Sequence, residues 1–131
     1  MKKIATNKFD AKNWGSDLHF GEGCEFPEYT RFGENCLFSN LCKFGPAPQF
    51  GKDSQFGEGI RIDGHLLIGE VYSVDDDFSY IYHCRTEDGI YVWDDWYHGL
   101  LDDILEGEPH MLSKPLLKYI RSVHYVNKRG F

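Results

Sequence analysis

The stretch HGLLDDILEGEPH gathers His98, Asp102, Asp103 and His110 into thirteen residues, and these are side chains that hold divalent metals or carry protons. Gly107 and Pro109 interrupt the run before His110. A single helix therefore cannot bring all four onto one face, and no metal site is expected. His19 and His65 are the other candidates for acid–base work, but no carboxylate stands at a spacing that would orient either imidazole. A solvated surface role is the simpler reading for both. Cys24, Cys36, Cys42 and Cys84 occur in a chain that opens MKKIATNKFDAKNW, without the apolar core of a secretion signal, so reduced thiols are expected rather than a disulfide framework. No phosphate-binding loop, nucleophile elbow or CxxC pair is present. The residues point to a protein that is not an enzyme, with no catalytic residue and no cofactor.

What would position these side chains is a repeat. Phenylalanine stands at positions 20, 26, 32, 38, 44, 50 and 56. With the register started at Trp14, ten hexads follow without a gap, from WGSDLH and FGEGCE to IDGHLL and IGEVYS at residue 73. Position 1 is always apolar, position 2 is Gly in seven of the ten, and position 5 is mostly small or apolar. A helix wants a period of 3.6 and a strand a period of 2, and neither accounts for the glycines. A solenoid with three hexads per coil accounts for both features. Positions 1 and 5 point inward, and the glycine supplies the unusual backbone angles needed near each corner. Residues 18 apart then stack about 4.8 Å apart, in ladders Trp14–Phe32–Phe50–Ile68, Phe20–Phe38–Phe56 and Phe26–Phe44–Ile62. Outer columns agree: Glu34, Lys52 and Glu70 alternate in sign, and Glu25 faces Lys43 before Arg61. The phenylalanines build the support and do no chemistry, and Cys24 and Cys42 stack as buried, inert thiols.

This pattern over residues 14–73 resembles the hexapeptide repeat of left-handed parallel β-helices. It departs from them in placing Phe where that family usually has Ile, Leu or Val. The resemblance implies a rod of about three coils. Many of the similar proteins are acyltransferases, usually trimers, with a catalytic histidine on a loop that breaks the repeat. No loop interrupts residues 14–73. A bare rod exposes strand edges at its ends, so residues 1–13 are expected to cap one end and residues 74–131 the other.

The period is lost after SVDDD. FSYIYHC alternates, with Phe78, Tyr80 and Tyr82 on one face; RTEDG holds an Asp-Gly turn signal and IYVW follows, predicting a hairpin over about 78–93. GLLDDILEG predicts a helix with Leu100, Leu101, Ile104 and Leu105 on its apolar face. SKPLLKYIRSVHYVNK predicts a second, with Ser113 as N-cap, Pro115 in the first turn and Leu116, Ile120 and Val123 as its stripe. The fold class expected is mainly β: a short left-handed parallel β-helix with a C-terminal hairpin and two helices. The order of elements, with EDGIYVWDDWYHGLLDDIL at its centre, resembles a group of small bacteriophage and prophage proteins with Phe-Gly hexads. WDDWYH departs from that group, whose members more often carry a short basic or small stretch there.

The chain of 131 residues has a formal charge of −7, unevenly spread. Residues 74–108 hold Arg85 against eleven acids, while residues 109–131 hold five bases and no acid. The acidic middle excludes non-specific binding to nucleic acid phosphates, and no run of 18 apolar residues exists to cross a membrane. The default location is the cytoplasm. The dense acids and aromatics suggest a protein partner with a basic surface. The surface expected to bind it comprises Trp93, Asp94, Asp95, Trp96, Tyr97, Asp102 and Asp103, flanked by Asp75, Asp76 and Asp77. The phage resemblance implies that such a partner is a host factor, in particular a defence complex that this protein blocks. The alternative is a homo-oligomer, dimer or trimer, joined through outward Tyr29, Leu37, Leu41 and Leu67, with a crevice that sequesters a small anionic molecule.

Overall fold

A computed structural model describes residues 2–4, 9–75, 80–94, 97–107 and 112–128. The fold is mainly β with two helices, and the chain divides into two units, Met1–Leu67 and Ile68–Phe131. Among the described residues no helix is long and apolar enough to cross a membrane.

The first unit consists of very short strands in parallel ladders. β1 (Lys2–Ile4), β2 (Leu18–Phe20), β4 (Leu37–Phe38) and β6 (Gln55–Phe56) form one sheet in that order. β3 (Glu25–Phe26), β5 (Lys43–Phe44) and β7 (Arg61–Ile62) form a second ladder. Bridges Asn13↔Arg31 and Arg31↔Gln49 make a third. Phe20 pairs with Phe38 and Phe38 with Phe56, so each step along a ladder is 18 residues. The expected column Glu25, Lys43, Arg61 is also in register.

Inside the ladders the rings stack along the pairing direction and meet edge-on across it. Phe20 lies over Phe38 at 5.1 Å and 2°, and Phe26 over Phe44 at 5.1 Å and 12°. Phe26 meets Phe32 at 5.0 Å and 89°. Both arrangements suit the aromatic quadrupole. Position 5 supplies the small buried neighbours Cys24, Thr30, Cys36 and Cys42 that leave the rings room. At the start of the unit Phe9 stacks on Phe26 at 5.4 Å and extends the aromatic column; residues 1 and 5–8 of the expected cap lie outside the described residues.

The glycines do a different job from the one expected. The left-handed backbone angle occurs at position 4 of the first eight hexads: Asp17, Gly23, Tyr29, Asn35, Leu41, Ala47, Asp53 and Gly59 have φ of 56–73°. Asp and Asn tolerate this region, and Asn35 Nδ2 donates to Asp17 Oδ1 at 2.8 Å. Of the position-2 glycines, Gly33, Gly45, Gly51 and Gly57 are needed for clearance instead, while Gly69 alone has a positive φ, of 85°. A Cβ on Gly51 would stand 2.4 Å from the Gly33 carbonyl carbon.

The repeat also ends earlier than expected. After Ile62 the chain turns at Asp63 (φ 52°) and Gly64 (φ 81°), two consecutive left-handed residues that make a tight hairpin. β8 (His65–Asp75) returns antiparallel on β7, with Ile62 opposite His65. Ile68, expected to extend the Trp14 ladder, is 41% exposed.

In the second unit β8 neighbours β9 (Tyr80–Thr86), β9 pairs with β10 (Gly89–Trp93), and β10 pairs with β11 (His98–Leu100), the last two pairings antiparallel. β8 carries the chain as strand as far as Asp75, and a short strand precedes the acidic helix. Leu100 is accordingly in β11, and α1 runs Leu101–Gly107. α2 runs Lys114–Lys128, capped as expected: Ser113 Oγ accepts from the Leu116 N–H at 3.3 Å. Ile81, Val92, Leu101, Leu112, Leu116 and Ile120 form the core of this unit. Of the expected face, Phe78 lies outside the described residues and Tyr82 is half-buried; the core residue of that strand is Ile81, on the opposite parity.

Candidate functional site

Strand alternation puts Ile81, His83 and Arg85 of β9 on one face. β10 sets Val92 opposite His83 and Ile90 opposite Arg85 on the same side. On α2, Leu116, Ile120 and His124 are four residues apart and lie on one stripe. The strands thus contribute apolar residues at one end and His83 and Arg85 toward the other, while the helix stripe ends in His124.

His83 Nδ1 and His124 Nε2 are 2.7 Å apart. His83 is 0% exposed and His124 2%. Tyr72 stacks on His83 at 5.5 Å, and Tyr119 meets it edge-on at 5.5 Å. Burial, followed by the neighbouring His124, pushes the His83 pKa down to about 4. Burial, followed by the Arg85 guanidinium, lowers that of His124. Both imidazoles are therefore neutral near pH 7 and share one proton between the facing nitrogens. The outer nitrogens, His83 Nε2 and His124 Nδ1, are buried and make no hydrogen bond among the described residues. An unmet buried polar atom is uncommon.

Beside this pair lies a cavity of about 680 Å³, lined by Ile68, Arg85, Thr86, Glu87, Gly89, Ile90, Arg121, Ser122 and His124. The hairpin turn forms part of its wall, held where Thr86 Oγ1 donates to the Gly89 carbonyl at 2.7 Å and accepts from the Asp88 N–H at 3.2 Å. The volume is in the range of small-molecule sites. None of Arg85, Arg121, His83 and His124 stood out in the sequence. The available signals were a histidine on an alternating strand and another at the end of an apolar helix stripe.

The expected acidic-aromatic surface is not one exposed face. Trp93 is fully buried and stacks on Tyr82 at 5.4 Å. Asp94, 9% exposed, accepts from the Tyr97 N–H at 2.9 Å, and its own N–H donates to the Tyr97 carbonyl at 3.0 Å. Asp94 therefore closes the β10–β11 turn, and reversing its charge would disrupt that turn. Asp102 and Asp103 are exposed on α1. Asp95, Trp96, Asp76, Asp77 and His110 lie outside the described residues, as does the side chain of Asp75.

Tyr29 (46%) and Leu41 (57%) are exposed, while Leu37 and Leu67 are half-buried. Leu41 is in the column Gly23–Leu41–Gly59 and Tyr29 in the column with Ala47, so the two stand at different corners of the repeat. His19 pairs with Ser39 at 3.0 Å. The four cysteines are free and buried, and burial raises the Cys42 and Cys84 pKa values to about 11 and about 12, which makes both thiols poor nucleophiles. No three His, Cys, Asp or Glu side chains are grouped to hold a metal ion among the described residues.

No family model, curated protein or solved structure is significantly similar to this chain.

Proposed function

We propose that this protein is a non-catalytic binding protein that takes up a small molecule in the cavity beside His83 and His124. In this reading the first unit is a left-handed parallel β-helix serving as scaffold. The 18-residue parallel register and the inward phenylalanines support that assignment. The observation that carries the functional reading is the cavity of about 680 Å³, which combines apolar walls from Ile68 and Ile90 with the polar side chains of Arg85 and Arg121. Ligand sites elsewhere have this make-up, mostly apolar with a few placed polar groups. Catalysis is disfavoured because the two imidazoles bonded to each other, His83 and His124, are both buried, and the thiols that have shifted are shifted toward the unreactive form.

The test is a thermal-shift screen of chemically diverse fragments against the full chain and a Ser122→Trp variant. Ser122 is exposed on α2 and lines the cavity, so the indole should fill the space without unsettling the core. Compounds that bind should raise the melting temperature of the wild type by several degrees at saturating concentration, and that rise should vanish in the variant. A screen without binders, or shifts that persist in Ser122→Trp, would reject the cavity as the binding site.

A further inference from the structure

The charges around the cavity are informative about what enters it. The chain has 21 acids and 14 bases, so most arginines in it should find a carboxylate. Neither Arg85 nor Arg121 makes an ion pair or hydrogen bond among the described residues, yet both line this one cavity. They come from different elements, β9 and α2, and are brought together only by folding. Glu87 lines the same cavity and has interactions of its own. Two guanidinium groups and one carboxylate leave one positive charge in surplus. Arg85 also stands close enough to His124 to disfavour its protonation, so a ligand cation at that wall would meet the same repulsion.

We propose that the cavity binds an organic oxyanion, a carboxylate or phosphate monoester on an apolar body, with its oxygens on Arg85 and Arg121 and its body against Ile68 and Ile90. This rests on the cavity being the binding site. Guanidinium forks match the paired oxygens of both groups and form charge-assisted bonds stronger than neutral ones. His124 also lines the cavity. Its Nδ1 makes no hydrogen bond among the described residues. When His83 Nδ1–H donates to His124 Nε2, the neutral His124 carries its own proton on Nδ1 and is a donor.

Calorimetry on the full chain at pH 7.5 tests this with matched probes: indole-3-acetate against indole-3-acetamide, and phenyl phosphate against inorganic phosphate. The anion is expected to bind at least about tenfold more tightly than its amide, and phenyl phosphate more tightly than inorganic phosphate. Comparison of indole-3-acetate with phenyl phosphate assigns the oxyanion as carboxylate or phosphate. Arg85→Gln and Arg121→Gln should each weaken indole-3-acetate about tenfold and leave the amide unchanged, with melting temperatures near wild type because neither side chain is fully buried. Amide and anion binding equally, with both variants silent, would overturn the oxyanion while leaving the cavity as the site. Inorganic phosphate matching phenyl phosphate would overturn the apolar body. Failure of every probe in calorimetry, alongside a fragment screen without binders, would remove the site itself.

Discussion

In the first unit each buried ring has a copy of itself 18 residues away, as Phe20 and Phe38 or Phe26 and Phe44 show. In the second unit Trp93, His83, Cys84 and Ile120 are equally buried, but each has a setting of its own. The repeated interior can be filled by one aromatic solution applied many times, and on its exposed side polar groups 18 residues apart bond to one another along the ladder. Ser16 Oγ accepts from the Glu34 N–H at 3.0 Å, and Asn40 Oδ1 from the Glu58 N–H at 2.8 Å. The irregular interior retains two buried nitrogens without partners and an adjoining cavity. The first unit leaves Trp14 Nε1 buried without a partner among the described residues and has a cavity of about 310 Å³ beside Phe9 and Lys43, whereas the second sets two such nitrogens side by side next to a cavity of about twice that volume.

The largest effect that would break this comparison is in the repeat. Phe38 is 0% exposed and rings pack on it from both ladder neighbours. Truncating a buried Phe costs about 3–5 kcal/mol and burying a charge costs more, so Phe38→Asp should abolish cooperative unfolding. Lys52→Ala, at an exposed position of the same unit, should change stability by less than about 1 kcal/mol. Urea melts showing equal sensitivity at the two positions would contradict the inside–outside register.

The second effect belongs to the histidine pair. In the unfolded chain His83 takes up a proton near pH 6.5; in the folded protein it does so only near 4. Between those values the unfolded state holds more protons, so stability is complete above about pH 6.5 and is lost as pH falls toward 4. The loss should be roughly 2–3 kcal/mol. Other groups titrate in this window, so the readout is the difference in slope between wild type and His83→Gln across urea melts from pH 7.5 to 4. A variant with the wild-type slope would show that the pair does not store this energy.

The smallest effect distinguishes two glycines at the same hexad position. Gly51→Ala puts a methyl within 2.4–2.6 Å of the backbone of Gly33 and Glu34, whereas a Cβ on Gly15 meets nothing within 4 Å. The first should cost about 1–3 kcal/mol and the second less than about 0.5 kcal/mol. Thermal melts that do not separate them would argue against clearance as the reason for the glycines.

These contrasts also explain what was legible in the sequence. The inward phenylalanines and the 18-residue step were legible because a period survives without knowledge of contacts. The reason for the position-2 glycines was not, since a glycine needed for clearance and one needed for its backbone angle are the same letter. The end of the repeat was masked because Ile62 and Ile68 still match position 1, although Asp63-Gly64 is itself a turn signal. Trp93 was misplaced because composition cannot tell a buried tryptophan from a surface one. The cavity was least legible: Arg85 and His124 become neighbours only when a helix packs on a hairpin, and no local spacing records that event.

The ladder step has a consequence for how such a chain can change its length. Because Phe20 faces Phe38 across 18 residues, removal of residues 32–49 would join Arg31 to Phe50 with every remaining side chain still in phase. Loss of a single residue would rotate all later positions out of phase at once. Insertions or deletions of 54 nucleotides in this part of the gene should therefore keep each ladder in its own column, a quantum set by the pairing register and not by the reading frame.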